Sequence, residues 1–303
     1  NGVIEIDSNL NYVTDYLVNE FIRGVNYEFD NGFILGAYDY NLSSAIRLEN
    51  RVQIQKFDLS SNQLYETDID EWKSVNDRDN EGVSYFRPTD DTTVLVGYTD
   101  LNHHPSLIEL NSSFETISQN TYTSLSLGNR YSNAITSAIK LSDGSYYLTL
   151  HGGKHVKLDS NKTVEWVADA TFAHDVIEID NKIVHLIDNI GAVARDFSGT
   201  ELWTISDGVA YIISRIRKSN DGNFYIFGQK NNELYIAKND SNGNNLWNYS
   251  QSEIPGAPYS HVKDVVETSD GGIILVITEW KESRQPSHGV IKLDASDGTK
   301  LLP

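Results

Sequence analysis

The chain has 303 residues, 39% of them apolar and 11% aromatic, with 43 acidic residues against 24 lysines and arginines, a net charge of −19, and neither cysteine nor methionine. That apolar content is too high for a disordered chain, and the charge repels phosphate backbones, which excludes nucleic acid as a partner. The missing thiols exclude disulfide scaffolds, thiol nucleophiles, Cys-ligated zinc and iron–sulfur clusters.

The longest unbroken apolar run, Ile273 to Ile277, is far short of the roughly 20 residues of a spanning helix, so no membrane insertion is expected. An opening at Asn1-Gly2, without initiator methionine or leader, reads as an excised or processed part of a longer protein.

In chain order, the first element is GVIEIDSNLNY (2–12): a strand, an Asp-containing turn and a second strand. Residues 16–25 follow, where Leu17, Phe21, Ile22 and Val25 suit either two strands or one amphipathic helix. From there two hairpin phrases alternate. FDNGFILGAY (29–38) precedes QIQKFDLSSNQLY (53–65), PTDDTTVLVGY (88–98) precedes SLIELNSSFETI (106–117), and LSDGSYYLTL (141–150) precedes KHVKLDSNKTVEW (154–166). EIDNKIVHLI (178–187) precedes AVARDFSGTELW (192–203), SNDGNFYIFG (219–228) precedes LYIAKNDSNGNNLW (234–247), and TSDGGIILVIT (268–278) precedes GVIKLDASDGTKLL (289–302). Asp-Gly and Asn-Gly between alternating apolar residues supply the positive φ angles that tight hairpins need.

The second phrase, marked by Asp7, Asp58, Asn111, Asp159, Asp196, Asp240 and Asp294, recurs at intervals of 37–54 residues, the range of a four-stranded propeller blade. The fold expected is therefore all-β, a β-propeller of four-stranded blades. Seven second hairpins against six first ones point to seven blades with an incomplete or split first blade; six blades plus an extra hairpin is the alternative. The repeat units fall at about 1–17 (a half blade), 18–72, 73–122, 123–168, 169–205, 206–250 and 251–303, all in one domain.

The phrase DxxGxxxW, Asp196 to Trp203 and with one more turn residue Asp240 to Trp247, resembles bacterial quinoprotein-like propeller repeats, and residues 270–298 resemble the SBBP-type repeats of secreted bacterial surface proteins. The first resemblance implies quinone held by adjacent cysteines and calcium; without cysteine, quinone is not expected here. The second implies an extracellular or cell-surface location.

Within such blades the short turns leave one end, and the long segments leave the other: Tyr38 to Arg51, Asp100 to Pro105, Glu279 to His288, Thr67 to Gly82, Gln119 to Asn133 and Ser250 to Ser260. That end is the expected binding face. It carries Trp72, His103, His104, Trp280 and His288 as candidate ligand-binding residues, the two tryptophans as platforms for sugar rings or a protein. Trp166, Trp203 and Trp247 share a position on the last strand and read as packing between blades. His151, His155, His174 and Asp175 are the candidates for catalysis: His151 and His155 flank a tight turn and would stand nearly opposite each other.

Asp77, Asp79 and Glu81, followed by Gly82, have the oxygen spacing of a calcium loop. Pro88 stands where an EF-hand needs its bidentate Glu, which leaves a looser calcium site or a solvated acidic crossover.

With no GxSxG, phosphate loop or zinc-protease helix motif, the leading expectation is a non-catalytic module binding a glycan, peptide or protein. An enzyme with a histidine site is the alternative, on a loose likeness to arylsulfotransferase propellers through Ala173 to Ile177. A structural propeller in a larger assembly is the third.

Overall fold

The structure, a computed structural model, describes residues 2–6, 12–17, 26–29, 32–39, 51–58, 63–68, 83–89, 92–100, 102, 104–125, 130–170, 173–187, 191–206, 211–231, 233–251, 259–280 and 286–301, with side-chain surroundings from Tyr85 onward. Short apolar segments punctuated by tight turns form hairpins rather than helices. The described residues contain 25 strands and, as helix, only single turns at Thr123–Leu125 and Arg130–Asn133.

Strands β1 (Gly2–Ile6) and β2 (Tyr12–Leu17) pair alone. Then come antiparallel meanders in which strand order follows the chain: β3 (Asn26–Phe29), β4 (Gly32–Asp39), β5 (Arg51–Asp58) and β6 (Gln63–Asp68); β7 (Val83–Pro88), β8 (Thr93–Thr99), β9 (Pro105–Asn111) and β10 (Thr116–Thr121). The third holds β11 (Ile135–Lys140), β12 (Tyr146–Leu150), β13 (Lys154–Leu158) and β14 (Val164–Asp169), and the fourth β15 (Ala173–Ile179), β16 (Lys182–Ile187), β17 (Gly191–Arg195) and β18 (Glu201–Ser206). The fifth holds β19 (Tyr211–Lys218), β20 (Phe224–Lys230), β21 (Glu233–Asn239) and β22 (Asn245–Gln251). The last has β23 (Tyr259–Glu267), β24 (Gly272–Trp280) and β25 (Pro286–Asp294), with a bridge from Leu293 to Lys300 beginning a fourth strand. Every hairpin read from the sequence lies in one of these sheets. Residues 12–17 take the strand reading; the rest of the ambiguous 16–25 segment, 18–25, lies outside the described residues.

Two compact units divide the chain, Asn1–Ile4 with Thr14–Ala170 and Glu5–Val13 with Thr171–Pro303. In the first, Tyr85, Leu95 and Leu107 of the second meander pack against Ile135, Leu148, Val156 and Leu158 of the third. In the second, Ile177, Leu186 and Ala192 meet Ile216, Phe224 and Ile226, and Tyr225, Phe227 and Ile236 meet Val262, Ile273, Leu275 and Leu293. Each buried Val, Leu, Ile or Phe among them contributes roughly 1.5–3 kcal/mol by leaving water. Middle strands have neighbours on both faces, so every residue of β12 is buried; the outermost β14 alternates between half-buried and exposed. That difference explains the unbroken apolar runs mid-repeat and the alternation at its end.

The recurring turns share one geometry. Asp196 Oδ1 accepts from the N–H groups of Ser198 and Thr200 at 2.9 Å each, and Asp159 and Asp240 accept likewise from Asn161 and Thr163, and from Asn242 and Asn244. This is Asx-turn chemistry. Three residues after the Asp or Asn the backbone turns left-handed, at Phe114 (φ 60°), Lys162 (63°), Gly199 (90°) and Gly243 (81°).

A second recurrence fixes one hairpin on the other. Lys157, Lys238 and Lys292 stand two residues before the turn Asp, with side chains only 7%, 6% and 5% exposed, and pair with Asp143, Asp221 and Asp270 of the Asp-Gly turns at 3.8, 2.7 and 2.5 Å. At Asp221 burial opposes ionisation, but hydrogen bonds from Lys238, Ser219 and Asn223 outweigh it and hold the carboxyl well below its usual range. At Asp270 the Lys292 hydrogen bond leads, bringing it down to about 2.

Successive sheets interlock through tryptophan. Trp203 of β18 stacks on Phe224 of β20 at 6.0 Å and donates from Nε1 to Ser241 O at 3.3 Å; Trp247 of β22 donates to Ala295 O at 3.2 Å. These rings lie on Gly243 and Gly298, where an added Cβ would stand 2.9 and 2.6 Å from the indole. Both therefore pack between sheets, as their repeated position implies, while Trp166 lies edge-on to Tyr147 of its own sheet, 5.9 Å away.

Candidate functional site

Strand direction decides where a ligand meets this fold. Within a meander, the first-to-second and third-to-fourth strand turns share one end, while the second-to-third loops and the sheet-to-sheet connections share the other. The strand bounds leave at most five residues between partners at the first end, as at 159–163. At the second end the bounds leave 40–50, 69–82, 122–134 and 252–258. Long connections on a rigid scaffold are where binding residues collect.

The sequence candidates disperse over this frame. Trp72, Asp77, Asp79, Glu81 and His103 lie outside the described residues. Trp280 and His288, assigned above to a long loop from Glu279 to His288, are instead strand residues. Trp280 pairs with Pro286 and His288 with Thr278, because the apolar run that begins at Ile273 carries the hairpin past the loop position. His104 closes its own turn: Asp100 Oδ1 accepts from the His104 N–H at 2.7 Å, and Asp100 Oδ2 lies 3.1 Å from Nδ1.

His151 and His155 separate. His151 is exposed at the β12–β13 turn, its N–H bonded to Ala134 O at 2.8 Å. His155 is fully buried in β13, opposite Thr149, with Nδ1 2.7 Å from the Tyr147 hydroxyl. The expected near-opposition of the two histidines fails because β12 ends at Leu150 and β13 begins at Lys154, which sets His155 against Thr149 and leaves His151 in the turn. His174 is on β15, and Asp175 beside it is 7% exposed. Asp175 Oδ1 accepts from the Val176 N–H at 3.0 Å, and Oδ2 from the Ile216 N–H at 3.3 Å. That ties the first strands of two successive sheets together. Among the described residues no three His, Cys, Asp or Glu side chains group as a metal site.

First strands repeat another feature. Each of β7, β11, β15, β19 and β23 carries a register shift near its start: Val83/Tyr85, Ile135/Ser137, Ala173/Asp175, Ile212/Arg215 and Val262/Asp264. A bulge releases residues from the ladder and re-aims side chains. Some tie neighbouring sheets: Tyr85 donates its hydroxyl to Ala138 O at 2.8 Å, and Arg217 makes a bidentate pair with Asp264 at 2.6 and 2.8 Å.

Near that pair in sequence are Arg215 of β19, and His261 and Lys263 of β23. Burial, then the Lys263 charge, brings the His261 imidazole down to about 4. Burial, then Arg215, lowers the Lys263 ammonium. The available signal was basic residues at 215, 217, 218 and 263 within a strongly acidic chain.

No family model and no curated protein sequence matches the chain. Solved structures are similar to it, two of which show the extent of the likeness. BamB from Moraxella catarrhalis aligns with a TM-score of 0.55 at 11% identity, covering 90% of this chain and 88% of that one. A protein of unknown function from Bacteroides caccae aligns at 0.51 and 9% identity, covering 82% and 88%. With the serial four-stranded sheets, the likeness to BamB establishes a β-propeller fold. At these identities it carries the fold alone.

Proposed function

We propose that the chain is a non-catalytic binding propeller of a secreted or cell-surface bacterial protein. It takes a glycan, peptide or protein partner at the sheet end that bears the long connections. The observation that carries this reading is the employment of the sequence's candidate catalytic groups. Asp175 holds two backbone N–H groups, and His155 meets a buried tyrosine hydroxyl. A carboxylate with an N–H group on each oxygen, one of them from a neighbouring sheet, serves as a structural tie. The propeller likeness supports a rigid scaffold whose specificity resides in its loops.

The test is binding of the purified chain to glycan and peptide arrays, beside turnover assays on sulfate, phosphate and glycoside esters. Saturable binding that is abolished when residues 252–258 are replaced by a Gly-Ser linker supports the proposal. Turnover of any ester without array binding overturns it.

A further inference from the structure

The joint between the second and third meanders, both in the first compact unit, departs from the two tryptophan joints described above. At those, a tryptophan seven residues after the turn Asp, Trp203 or Trp247, lies on a glycine of the next turn. Here both members of the seat are replaced. Ser118 stands seven residues after Asn111, and Lys162 takes the left-handed place in the next turn, with φ 63°. A left-handed backbone disfavours a residue with a Cβ, so a lysine there needs a compensating contact.

Lys162 finds that contact across the joint. Its Nζ lies 2.8 Å from Glu109 Oε2 and 4.7 Å from the centre of the Tyr146 ring, and the two charged side chains are only 9% and 5% exposed. Tyr146 donates its hydroxyl to Glu109 at 3.1 Å, and Lys140 Nζ stands 3.5 Å from Glu109 Oε1. Three elements of the third meander thus converge on one carboxylate: β11 through Lys140, β12 through Tyr146, and the β13–β14 turn through Lys162. Asp159 closes that turn, its carbonyl accepting from the Lys162 N–H at 2.9 Å. In its own sheet Glu109 pairs with Leu95 of β8 and Ser118 of β10, and Arg87 of β7 is next in the same row. Tyr122, in the same buried cluster as Tyr146, is pushed up by burial and stays protonated.

Glu109 also inverts the repeat. It stands two residues before the turn Asn, where Lys157, Lys238 and Lys292 pair with an aspartate of their own sheet. The charge that elsewhere joins two hairpins of one sheet is here reversed and turned on the next sheet. Burial pushes the Glu109 carboxyl up, but Lys162, Tyr146 and Lys140 outweigh it and hold the group below its ordinary value of 4.5.

We infer that Glu109, Lys162, Lys140 and Tyr146 form an acid-released clasp between the second and third meanders, which takes the place of the tryptophan seat. A tryptophan on a glycine holds by packing, which protons do not change. Neutralising Glu109 leaves Lys162 buried without its counter-ion, and breaking a buried pair from one side is strongly destabilising. The carboxylate is stabilised by folding, so its contribution is complete above about pH 4.5 and is lost as pH falls below that. The clasp is independent of what the chain binds.

The test is amide hydrogen exchange of the intact chain, read by mass spectrometry and corrected for intrinsic rates. It compares β9–β10 (105–121) and β13–β14 (154–169) with the tryptophan-seated strands β18 and β22. Between pH 6 and 3, protection of the clasp strands should fall at least ~3-fold more than that of the reference strands. At pH 6, Glu109→Gln should lower clasp-strand protection at least ~10-fold, leave the reference within ~2-fold, and abolish the extra acid loss. Glu165→Gln, which removes the half-exposed partner of Lys157 in the same sheet, should change protection less than ~3-fold. Lys162→Gly separates the clasp from a mere turn residue by sign. Glycine suits the left-handed backbone better, so protection rises if Lys162 only fills the turn and falls if it fastens Glu109. A rise there overturns the inference, as does unchanged protection in Glu109→Gln or equal acid loss in clasp and reference strands.

Discussion

Gly222, Gly243, Gly271 and Gly298 all have φ between 76° and 83°, and they form a matched set for testing the tryptophan interlock. Replacing any of them with Ala imposes the left-handed penalty on a residue with a Cβ, about 1–2 kcal/mol. At Gly222 and Gly271 nothing lies within 4 Å of the added carbon, and the penalty ends there. At Gly298 the same carbon would stand 2.6 Å from Trp247 Cε3, and at Gly243 2.9 Å from Trp203 Cε3. Carbon contacts are comfortable at about 3.5–4.0 Å, so the ring must retreat by roughly an ångström at Gly298. Trp247 is 8% exposed and pinned by its Nε1 bond to Ala295. Overpacking of this kind adds about 1–3 kcal/mol. Gly298→Ala should therefore cost about 2–5 kcal/mol against about 1–2 for Gly271→Ala, with Gly243→Ala between. The readout is urea unfolding followed by far-ultraviolet circular dichroism, comparing midpoints at unchanged slope. In a Trp247→Leu background the excess at Gly298 should vanish. If Gly298→Ala costs no more than Gly271→Ala in the wild-type background, the interlock contributes nothing and the reasoning fails.

Asp175→Asn should lower stability by about 1–2 kcal/mol through weakened acceptance from Ile216 and Val176, measured by urea unfolding, and leave array binding unchanged; lost binding without lost stability would place Asp175 in the site instead. His261 is held neutral when folded, so the unfolded chain takes up the extra proton. Its contribution is present above pH 6.5 and disappears as pH falls toward 4, on the order of 3 kcal/mol in all. His261→Gln should flatten that part of the stability profile; an unchanged slope between pH 6.5 and 4 refutes it. A further loss below about pH 4, common to both proteins, should follow as the depressed carboxyls of Asp221 and Asp270 take up protons. Asp221→Asn leaves the Lys238 ammonium buried without its carboxylate and should cost about 1–2 kcal/mol, discounted for the half-exposed Asp. Adding Lys238→Met should recover part of this, which a double-mutant cycle in thermal unfolding reads.

The parts of this protein written into its sequence are those that each repeat must solve again. A hairpin needs a left-handed residue and an Asx acceptor, so Asp196-Phe197-Ser198-Gly199 and Asp240-Ser241-Asn242-Gly243 announce themselves by composition. Trp203 and Trp247 recur because each must lie on the glycine of the following turn. Strand ends were less legible. The apolar pattern does not stop at the sheet edge, so Trp280 and His288 belonged to a hairpin rather than a loop, and His155 entered a strand whose first residue is only Lys154. Asp175 looked like a catalytic acid because a carboxylate beside a histidine has the same composition in either role. Only the spatial neighbour Ile216, 41 residues away, distinguishes a sheet tie from a base.

The first-strand bulges sharpen this into a rule about where function resides in such a chain. The first strands β7, β11, β15, β19 and β23 all shift register near their start, while β3 pairs without a shift, so the backbone device is common, whereas the residues placed there are not. After the shift come Tyr85, Ser137, Asp175, Arg215 and Asp264. At a turn or a tryptophan seat the same steric constraint recurs, and the same residue returns in several repeats, as with Gly199 and Gly243 or Trp203 and Trp247. At the bulge the side chain is released from the ladder, and its identity is set by what it meets: a carbonyl for Tyr85, an N–H for Asp175, a guanidinium for Asp264. Positions of constant geometry and variable chemistry are where a repeated scaffold gains individual binding properties, and they leave no periodic trace.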